Sequence, residues 1–570
     1  MSTKNLAKAS MSRISRRDFM KTSLMLMGGF ATIGSGMLQL SQAAPQITTA
    51  DEKVLVAIAS SFDKELGNLK APLDAPLSYE QVNVIVRRAL SMDTSPKALK
   101  KQIKKTDWVV IKPNIVTSRS NKNCSYWYNG IPHPGQETDL RVIKSLIGYI
   151  VENCPPKRIT IAEGGAEWQK TGTAGTDSNQ TEDGWTVKWP EYDNLSYVDI
   201  IEEYNKRYPG LVDIVDLNYD AYRFLPVPDP KGSGIGAMQQ VGAKARDASL
   251  FGREVYVPGT GTFREGYHIP ETILDCDILI SVPAMKTHVC GTTLAMKNYI
   301  GILPNHPSGV VKKSDVHNGD FQKGFIDLFS YHPADYSLLE GFYSTEGNGP
   351  QWGETIQHNI VIATADPVAA DVVGSTVMGF NPLDMDYLYY ATEKGFGTFD
   401  TDDITIAGNQ IRAILRKFSR TSKDGGTGFI TRGNRSWLVK DNTNEQSDWK
   451  QFLSEERYID FARSFEGQPP ASASAAVEVH SKRSQKGQIW AGADGKIEIW
   501  LNNEKLLSTE GSSGHRLAEH KINITLKEGA NRLLVTEERS EPGFGFTALL
   551  CNEFGDGLFD VSYLIPEKVE

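Results

Sequence analysis

Short apolar runs alternate with longer amphipathic segments from residue 53 to residue 407, and this alternation limits the fold more than any other feature. The apolar runs predict strands at 53–60, 108–111, 158–162, 278–282, 359–363 and 404–407. Two intervening segments, Tyr79–Met92 and 138–153, place their apolar residues at helical spacing. Because alternating strands and helices build parallel sheets with helices on their faces, we predict an α/β fold with a mainly parallel, Rossmann-like sheet.

The stretch 277–301 carries the densest set of polar side chains next to a buried strand. The apolar run 278–282 is followed by a loop that contains Lys286 and His288, and a helix is predicted over 293–300. Ligands of open α/β sheets bind beyond the carboxyl ends of strands, and the first N–H groups of a helix attract anions. This stretch therefore predicts an anion-binding site, with a solvated basic loop as the alternative.

Polar side chains follow four of the predicted strands. They are Lys112 and Asn114, then Glu163, then Lys286 and His288, and finally Asp366 and Asp371. If the sheet is parallel, all four strand ends lie on one edge, and the side chains converge on one crevice. Asp366 has a second interpretation as a helix N-cap, because Pro367 stands at the first helical position.

These positions define the candidate functional residues. The candidate catalytic groups are His288, Lys286, Lys297, Glu163 and Glu346. The candidate substrate-binding residues are Lys112, Asn114 and Asn298, and the candidate metal ligands are His317 and Asp371. Imidazole and carboxylate ligands suit Zn, Mn or Fe, so a metal ion is one cofactor that this set could hold. No motif of a known mechanism and no G-x-G-x-x-G is present.

The N-terminus predicts export. Residues 15–21, SRRDFMK, have the form of a twin-arginine motif, a weakly apolar run follows, and Ser41-Gln42-Ala43 offers a cleavage site. We predict a signal peptide over 1–44, the twin-arginine translocase as a partner, and a folded protein in the periplasm or outside the cell. An uncleaved membrane anchor is the alternative, and no later segment is apolar enough to span a bilayer.

Cysteine spacing and charge limit the cofactors and partners. The five cysteines form no C-x-x-C pair, so the chain has no iron–sulfur motif, and a disulfide between Cys124 and Cys154 is our prediction. Cys290, beside His288, is either a reactive thiol or an inert buried one. The net charge is -9 and no basic patch follows the N-terminal segment, which argues against a nucleic-acid partner.

The composition changes near residue 423, after a linker at 422–428. From there, short alternating runs separated by turn residues predict a small antiparallel β-sandwich. The predicted organisation is therefore a signal at 1–44, an α/β domain at 51–422 and an all-β accessory domain at 423–570.

The ordered motifs of the α/β part resemble a known family. VIKPN at 110–114, IAEG at 161–164, VPAMKTH at 282–288, KNYIG at 297–301, EGNGP at 346–350 and DPVAAD at 366–371 carry the likeness. Over residues 54–416 the chain resembles the family of domain of unknown function 362. His317 stands where that family usually has a histidine. The ferredoxin-type modules often fused to that family are missing, and Glu340 stands where the family tends to have Asp. The resemblance implies a domain and does not define a reaction.

The C-terminal part is similar to the galactose-binding-like and jelly-roll modules of secreted glycan-handling proteins. The segments 493–503 and 526–531 carry that likeness. It implies either a glycan-binding module or one that only packs against the preceding domain.

Three functions follow from these observations. The first is an exported enzyme that uses a metal or organic cofactor on a small anionic substrate, with carbohydrate-derived anions as one class. The second is a periplasmic protein that binds an anionic glycan or metabolite without catalysis. The third is a redox-associated protein, which the family's ferredoxin partners imply.

Overall fold

The computed structural model describes residues 53–566, apart from several segments that are not discussed structurally. These are 117–126, 129–130, 133, 166–184, 187, 191, 229–265, 289–290, 305–320, 350–351, 422–429, 432, 455–456, 467, 512–513, 541–542, 554 and 559. The predicted signal peptide, the cysteines Cys124 and Cys290, and the candidate ligand His317 lie outside the described residues.

The described secondary structure follows in chain order. The strands up to residue 408 are β1 (Val54–Ser60), β2 (Trp108–Pro113), β3 (Trp127–Tyr128), β4 (Ile131–Pro132), β5 (Arg158–Glu163), β6 (Val212–Asp216), β7 (Tyr222–Pro226), β8 (Gly266–Pro270), β9 (Ile278–Val282), β10 (Ala284–His288), β11 (Gly291–Thr293), β12 (Tyr336–Asn348), β13 (Trp352–Ile356), β14 (Ile360–Thr364) and β15 (Ile404–Gly408). The α-helices are α1 (Tyr79–Met92), α2 (Leu99–Gln102), α3 (Leu140–Asn153), α4 (Tyr197–Arg207), α5 (Glu271–Asp275), α6 (Phe321–Tyr331), α7 (Pro367–Val377), α8 (Asp386–Glu393), α9 (Ile411–Ile414) and α10 (Phe461–Ser464). Short 3₁₀ helices cover Lys64–Leu69, Pro134–Gln136, Lys297–Ile302, Pro382–Asp384 and Thr401–Asp403.

One large sheet organises the first part of the chain. Its strand order is β15-β1-β14-β12-β9-β2-β5-β6, with β10, β11 and β13 attached beside β12. Five of the seven neighbouring pairs along this order are parallel, and the two antiparallel pairs both involve β14. The mixed α/β class and the mostly parallel sheet are therefore confirmed.

The direction of β14 corrects one prediction. Because β14 is antiparallel to both of its neighbours, its carboxyl end lies at the edge opposite to the ends of β2 and β5. Asp366, which follows β14, is thus not on the same edge as Lys112 and Glu163. Its carboxylate instead accepts a hydrogen bond from Ala369 N at 2.8 Å and begins α7, which confirms the N-cap interpretation.

Hydrophobic cores fill both faces of this sheet. On one face α1 and α3 bury apolar stripes that include Ile85, Leu146 and Ile150. The chain begins α1 with a capping box between Ser78 and Gln81, so that the first N–H groups are satisfied. Trp185 and Trp189 are also buried in this core.

A 3₁₀ helix replaces the α-helix predicted over 293–300. Thr292 and Thr293 continue as strand β11, which pairs antiparallel with β10, so a helix cannot begin there. The described helix is the shorter segment Lys297–Ile302. The basic residues of the predicted loop, Lys286 and His288, accordingly lie on strand β10.

Antiparallel sheets make up the remainder of the chain. Their strands are β16 (Ser436–Asp441), β17 (Lys450–Leu453), β18 (Ile459–Asp460), β19 (Ser472–Ser481), β20 (Gln485–Ala493), β21 (Lys496–Leu501), β22 (Glu504–Ser508), β23 (His520–Leu526), β24 (Gly529–Glu538), β25 (Gly545–Cys551) and β26 (Val561–Leu564). A seven-stranded sheet and a four-stranded sheet share one core, to which Trp437, Val477 and Phe546 belong. The jelly-roll class and the domain boundaries stay predictions.

Two further observations concern cysteines and membranes. Cys154 is a buried free thiol, so the predicted bond between it and Cys124 is not formed. Among the described residues, none of the helices has both the length and the apolar character that a membrane crossing requires.

Candidate functional site

Six of the predicted residues lie together at the carboxyl edge of the large sheet. Strand β2 and the residue after it, strands β5 and β10, and the 3₁₀ helix at 297–302 supply them. They are Lys112, Asn114, Glu163, Lys286, Lys297 and Asn298, and each is at most 8% exposed. We call this set the buried lysine cluster. Three ammonium groups removed from water at one sheet edge require partners, and those partners define what each lysine can do.

Lys112 has a complete set of acceptors. Its Nζ donates to Glu163 Oε2 at 2.5 Å, to Pro113 O at 3.0 Å and to Asn298 Oδ1 at 3.1 Å. Asn298 in turn donates through Nδ2 to Lys112 O at 3.1 Å and to Ser281 Oγ at 3.0 Å. Burial lowers the pKa of Lys112, and the charge of Glu163 opposes that effect. All three N–H groups of Lys112 are used within the protein.

Gly301 covers this ion pair. Its carbonyl oxygen accepts a hydrogen bond from Gly164 N at 3.0 Å, which ties the 3₁₀ helix to the end of β5. A Cβ atom at Gly301 would lie 2.5 Å from Lys112 Nζ and closer still to Glu163 Oε1. The absence of a side chain at Gly301 therefore allows the backbone to seal the pair.

Lys286 differs from Lys112 because its two hydrogen-bond acceptors are uncharged. Its Nζ donates to Asn114 Oδ1 and to Gln136 O, the latter at 2.6 Å. Burial, and then the nearby charge of Lys297, lower the pKa of Lys286 to about 7, although several carboxylates oppose them. A neutral amine has two N–H groups and one lone pair. Lys286 can therefore make both hydrogen bonds in its neutral form and retain the lone pair.

Lys297 supplies a second positive charge beside Lys286. Its Nζ donates at 3.0 Å to Oγ1 of Thr293, the last residue of β11, and its side chain is 8% exposed. Two ammonium groups at close range disfavour each other's charged form, and this repulsion adds to the burial that lowers the pKa of Lys286.

Glu340 is a buried group that the sequence reasoning did not place in the site. Its carboxylate accepts hydrogen bonds from Asp139 N at 3.1 Å and from Phe342 N at 3.0 Å. Burial, and then the charge of Asp139, raise the pKa of Glu340 to about 8. The negative charge of Glu340 raises the pKa of Lys286, whereas the positive charge of Lys297 lowers it. The available signal was one acidic residue inside an otherwise apolar strand, SLLEGF at 337–342.

The backbone carbonyl that accepts from Lys286 could not be identified from the sequence. Gln136 is the last residue of a short 3₁₀ helix, Pro134–Gln136, and its backbone carbonyl accepts the hydrogen bond from Lys286 Nζ. Thr345, the register partner of Lys286 on β12, donates through Oγ1 to Gly135 O at 2.8 Å. Contacts made by a backbone carbonyl do not depend on residue type, so composition could not reveal them.

Other predicted residues lie apart from these contacts. Glu346 follows Thr345 and so faces the other side of β12, where its Oε2 accepts from Ser419 N at 2.8 Å. His288 is half-buried at the end of β10. Asp371 accepts from Ala295 N at 2.7 Å and Met296 N at 3.2 Å.

Asp371 bears on both the anion and the metal predictions. The two N–H groups that precede the 3₁₀ helix, which the sequence offered to an external anion, already bind this internal carboxylate. Burial raises the pKa of Asp371 to about 7 despite these hydrogen bonds. Within the described ranges, no group of three or more His, Cys, Asp or Glu side chains is arranged to hold a metal ion.

The fold and site together define a mixed α/β protein with a buried lysine–carboxylate site at the carboxyl edge of its sheet. Residues 231–376 match the family model described as Domain of unknown function (DUF362). That match contains Lys286, Lys297, Asn298, Glu340 and Asp371.

One curated relative and two solved structures are similar to parts of the chain. A thylakoid-associated protein of Synechocystis sp. is 26% identical over 113 residues, which cover 19% of this chain and 35% of that protein. The chain thus spans about a third of that relative's length. A β-glucosidase from Kluyveromyces marxianus is 13% identical with a TM-score of 0.17, and the match covers 20% of this chain and 16% of that one. An anti-sigma factor domain-containing protein from Clostridium clariflavum is 9% identical with a TM-score of 0.18, and the match covers 24% of this chain and 48% of that one. Scores this low carry no argument about fold or function.

Proposed function

We propose that this protein is an exported enzyme that acts on a small anionic substrate through the amine of Lys286. The observation that supports the proposal is a fully buried lysine with two uncharged acceptors and a pKa lowered to about 7. Lysines become nucleophiles or bases when desolvation and a neighbouring cation favour the neutral amine. Lys286 meets both conditions.

The proposed chemistry is attack by the Lys286 amine on a carbonyl carbon. A C–N bond forms, water leaves, and an imine results that can withdraw electrons from the neighbouring carbon. Asn114 and Gln136 fix the direction of the amine, so the entropic cost of orienting it for the reaction is lower. Glu340, whose pKa is about 8, is a candidate proton donor for the departing water.

Lys297 is the proposed site for the anionic group of the substrate. Its ammonium is the positive charge that acts on Lys286, whereas the three N–H groups of Lys112 are all used within the protein. A carboxylate or phosphate bound beside Lys297 would bring the rest of a small substrate within reach of Lys286. The substrate class is accordingly a small carbonyl compound that carries an acidic group.

Reductive trapping tests this chemistry without knowledge of the natural substrate. The full-length protein is incubated with pyruvate, glyoxylate or glyceraldehyde 3-phosphate and treated with borohydride, and the modified peptides are mapped by mass spectrometry. We expect a stable adduct on Lys286 with at least one probe and its loss in Lys286→Met. A matched control, Lys100→Met on the exposed surface, should keep the adduct. Labelling of Lys286 no stronger than that of Lys100 would contradict the proposal.

A non-catalytic binding protein is the second candidate, because Lys297 could capture an anion without reaction. Calorimetry with the same three probes separates the two functions. Binding that survives in Lys286→Met, together with no trapped adduct, would favour the binding protein. The metal and redox alternatives depend on His317 and Cys290, which lie outside the described residues.

Export is proposed from the predicted signal at 1–44. Replacing Arg16 and Arg17 with Lys should retain the protein in the cytoplasm, because the translocase recognises the arginine pair. Cell fractionation measures the result, and unchanged export would contradict the proposed periplasmic or secreted location. The glycan-binding role of residues 423–570 is likewise proposed from the sequence, on the likeness carried by the segments 493–503 and 526–531.

A further inference from the structure

A second cluster of reactive side chains lies at the opposite edge of the large sheet. Cys276 immediately precedes β9, while His332 and Asp335 immediately precede β12. Because β9 and β12 are parallel neighbours, the segments before them meet at the amino edge of the sheet. This cluster is distinct from the buried lysine cluster, which lies at the carboxyl edge.

The three side chains form a chain of contacts. Cys276 Sγ lies 3.9 Å from His332 Nδ1, and His332 Nε2 lies 3.6 Å from Asp335 Oδ2. The Asp335 carboxylate is fixed because it accepts from Leu279 N at 2.9 Å. The His332 backbone is fixed as well, since Tyr299 donates through its hydroxyl to His332 O at 2.8 Å. The imidazole is therefore oriented with one nitrogen toward sulfur and the other toward a carboxylate.

This arrangement favours a charged imidazole. Burial lowers the pKa of His332, but Cys276 and Asp335 outweigh burial and raise it to about 10. Those two residues are the titratable groups that act on His332 among the described residues. The thiolate is the nucleophilic form of cysteine, and an imidazole 3.9 Å from the sulfur can accept and return its proton as the thiol reacts.

We propose that Cys276 is a nucleophilic thiol that hydrogen peroxide and similarly small electrophiles modify, with His332 as its proton partner and Asp335 as the residue that positions His332. With peroxide, the thiolate sulfur attacks one oxygen, an S–O bond forms and the O–O bond breaks. The sulfur loses two electrons to the peroxide. The departing hydroxide takes the proton from His332 Nδ1 and leaves as water, so Cys276 becomes a sulfenic acid.

The chain contains a matched control for this proposal. Cys154 is also a free thiol and is 7% exposed, the same fraction as Cys276. Burial raises the pKa of Cys154 to about 11, and burial is its whole cause. A difference in reactivity between the two thiols would therefore reflect the imidazole and not the access of reagent.

Competitive alkylation of the full-length protein measures that difference. Wild-type protein is treated with limiting iodoacetamide at pH 7, and the labelled peptides are quantified by mass spectrometry. We expect Cys276 to react at least about tenfold faster than Cys154, and His332→Gln to reduce that ratio to about one. Asp335→Asn should give an intermediate ratio. Equal rates in the wild type, or an unchanged ratio in His332→Gln, would overturn the proposal.

Two measurements on the wild type keep the proposal testable if a variant fails to fold. The alkylation rate of Cys276 should rise less steeply from pH 6 to pH 8 than that of Cys154, which should rise about tenfold per pH unit. Treatment with hydrogen peroxide and then dimedone should add the dimedone mass at Cys276 and not at Cys154. A rate for Cys276 that follows pH as steeply as that of Cys154, or dimedone at neither thiol, would contradict the proposal.

Discussion

Lys112 and Lys286 occupy adjoining parts of one site, are both completely buried, and differ in the charge of their partners. Lys112 contacts the carboxylate of Glu163, whereas Lys286 contacts an amide oxygen and a backbone carbonyl. A buried ammonium is stable only when a negative charge compensates it. Burial lowers the pKa of both lysines, but only at Lys112 does a hydrogen-bonded carboxylate oppose that effect. Burial alone does not define a reactive lysine; the charge of its nearest acceptor does.

The largest expected effect is on stability, from removal of one side of the ion pair. Lys112→Met leaves the Glu163 carboxylate buried without its cation, and we expect a loss of about 3–5 kcal/mol in the free energy of unfolding. Lys286→Met leaves only two uncharged acceptors and should cost about 1–3 kcal/mol. Urea unfolding of both variants at pH 7 measures the difference.

A double variant is the control for this prediction. Lys112→Met combined with Glu163→Leu removes both charges and should recover much of the stability that Lys112→Met loses. If Lys112→Met and Lys286→Met cost the same, the proposed distinction between the two lysines fails.

A smaller effect is expected at the glycine that covers the ion pair. In Gly301→Ala the new methyl group would overlap Glu163 and crowd Lys112, so the 3₁₀ helix must shift away from β5. We expect a loss of about 1–3 kcal/mol. Gly395→Ala is the comparison variant. A Cβ at Gly395 would meet no neighbouring atom, and the only cost there is the backbone strain of an alanine at a φ of 73°. A loss at Gly301 no greater than that at Gly395 would show that the contact is not tight.

The smallest effect, counted per pH unit, concerns the pH dependence of stability. The folded pKa of Lys286, about 7, is below its unfolded value of 10.5. Between these values the unfolded chain binds more protons, so Lys286 makes stability rise with pH by up to about 1.4 kcal/mol per unit. Lys286→Met should lose this rise, as measured by urea unfolding between pH 7 and pH 10. The surface variant Lys100→Met should retain it, and a wild-type slope retained in Lys286→Met would contradict the lowered pKa.

The sequence was sufficient to predict the large sheet because buried strands and amphipathic helices have different periods. The direction of β14 was not predicted, although a signal existed. No helix separates β12, β13 and β14, and strands joined without a crossover pair antiparallel. The 3₁₀ helix at 297–302 was also missed, because the pairing of β11 with β10 is a tertiary contact.

The site residues were predicted unevenly for a physical reason. Lys112, Glu163 and Lys286 were accessible to prediction because each follows or ends a buried strand on the same sheet edge. Their pairing was not, since it depends on the strand order β9-β2-β5, which local sequence does not encode. Glu346 was selected by its glycine-rich neighbours, but strand alternation turns it away from Lys286.

The position of β1 has a consequence for synthesis on the ribosome. β1 lies between β14 and β15, and Ala57 pairs with both Ala363 and Ala407. The first strand of the sheet therefore has no partner until residue 364 has emerged, and its second partner is complete only at residue 408. At about 5–20 residues per second, that interval lasts on the order of tens of seconds. During this time the apolar segment Val54–Ser60 is open to chaperones and proteases, so it is where quality control would first engage the nascent chain.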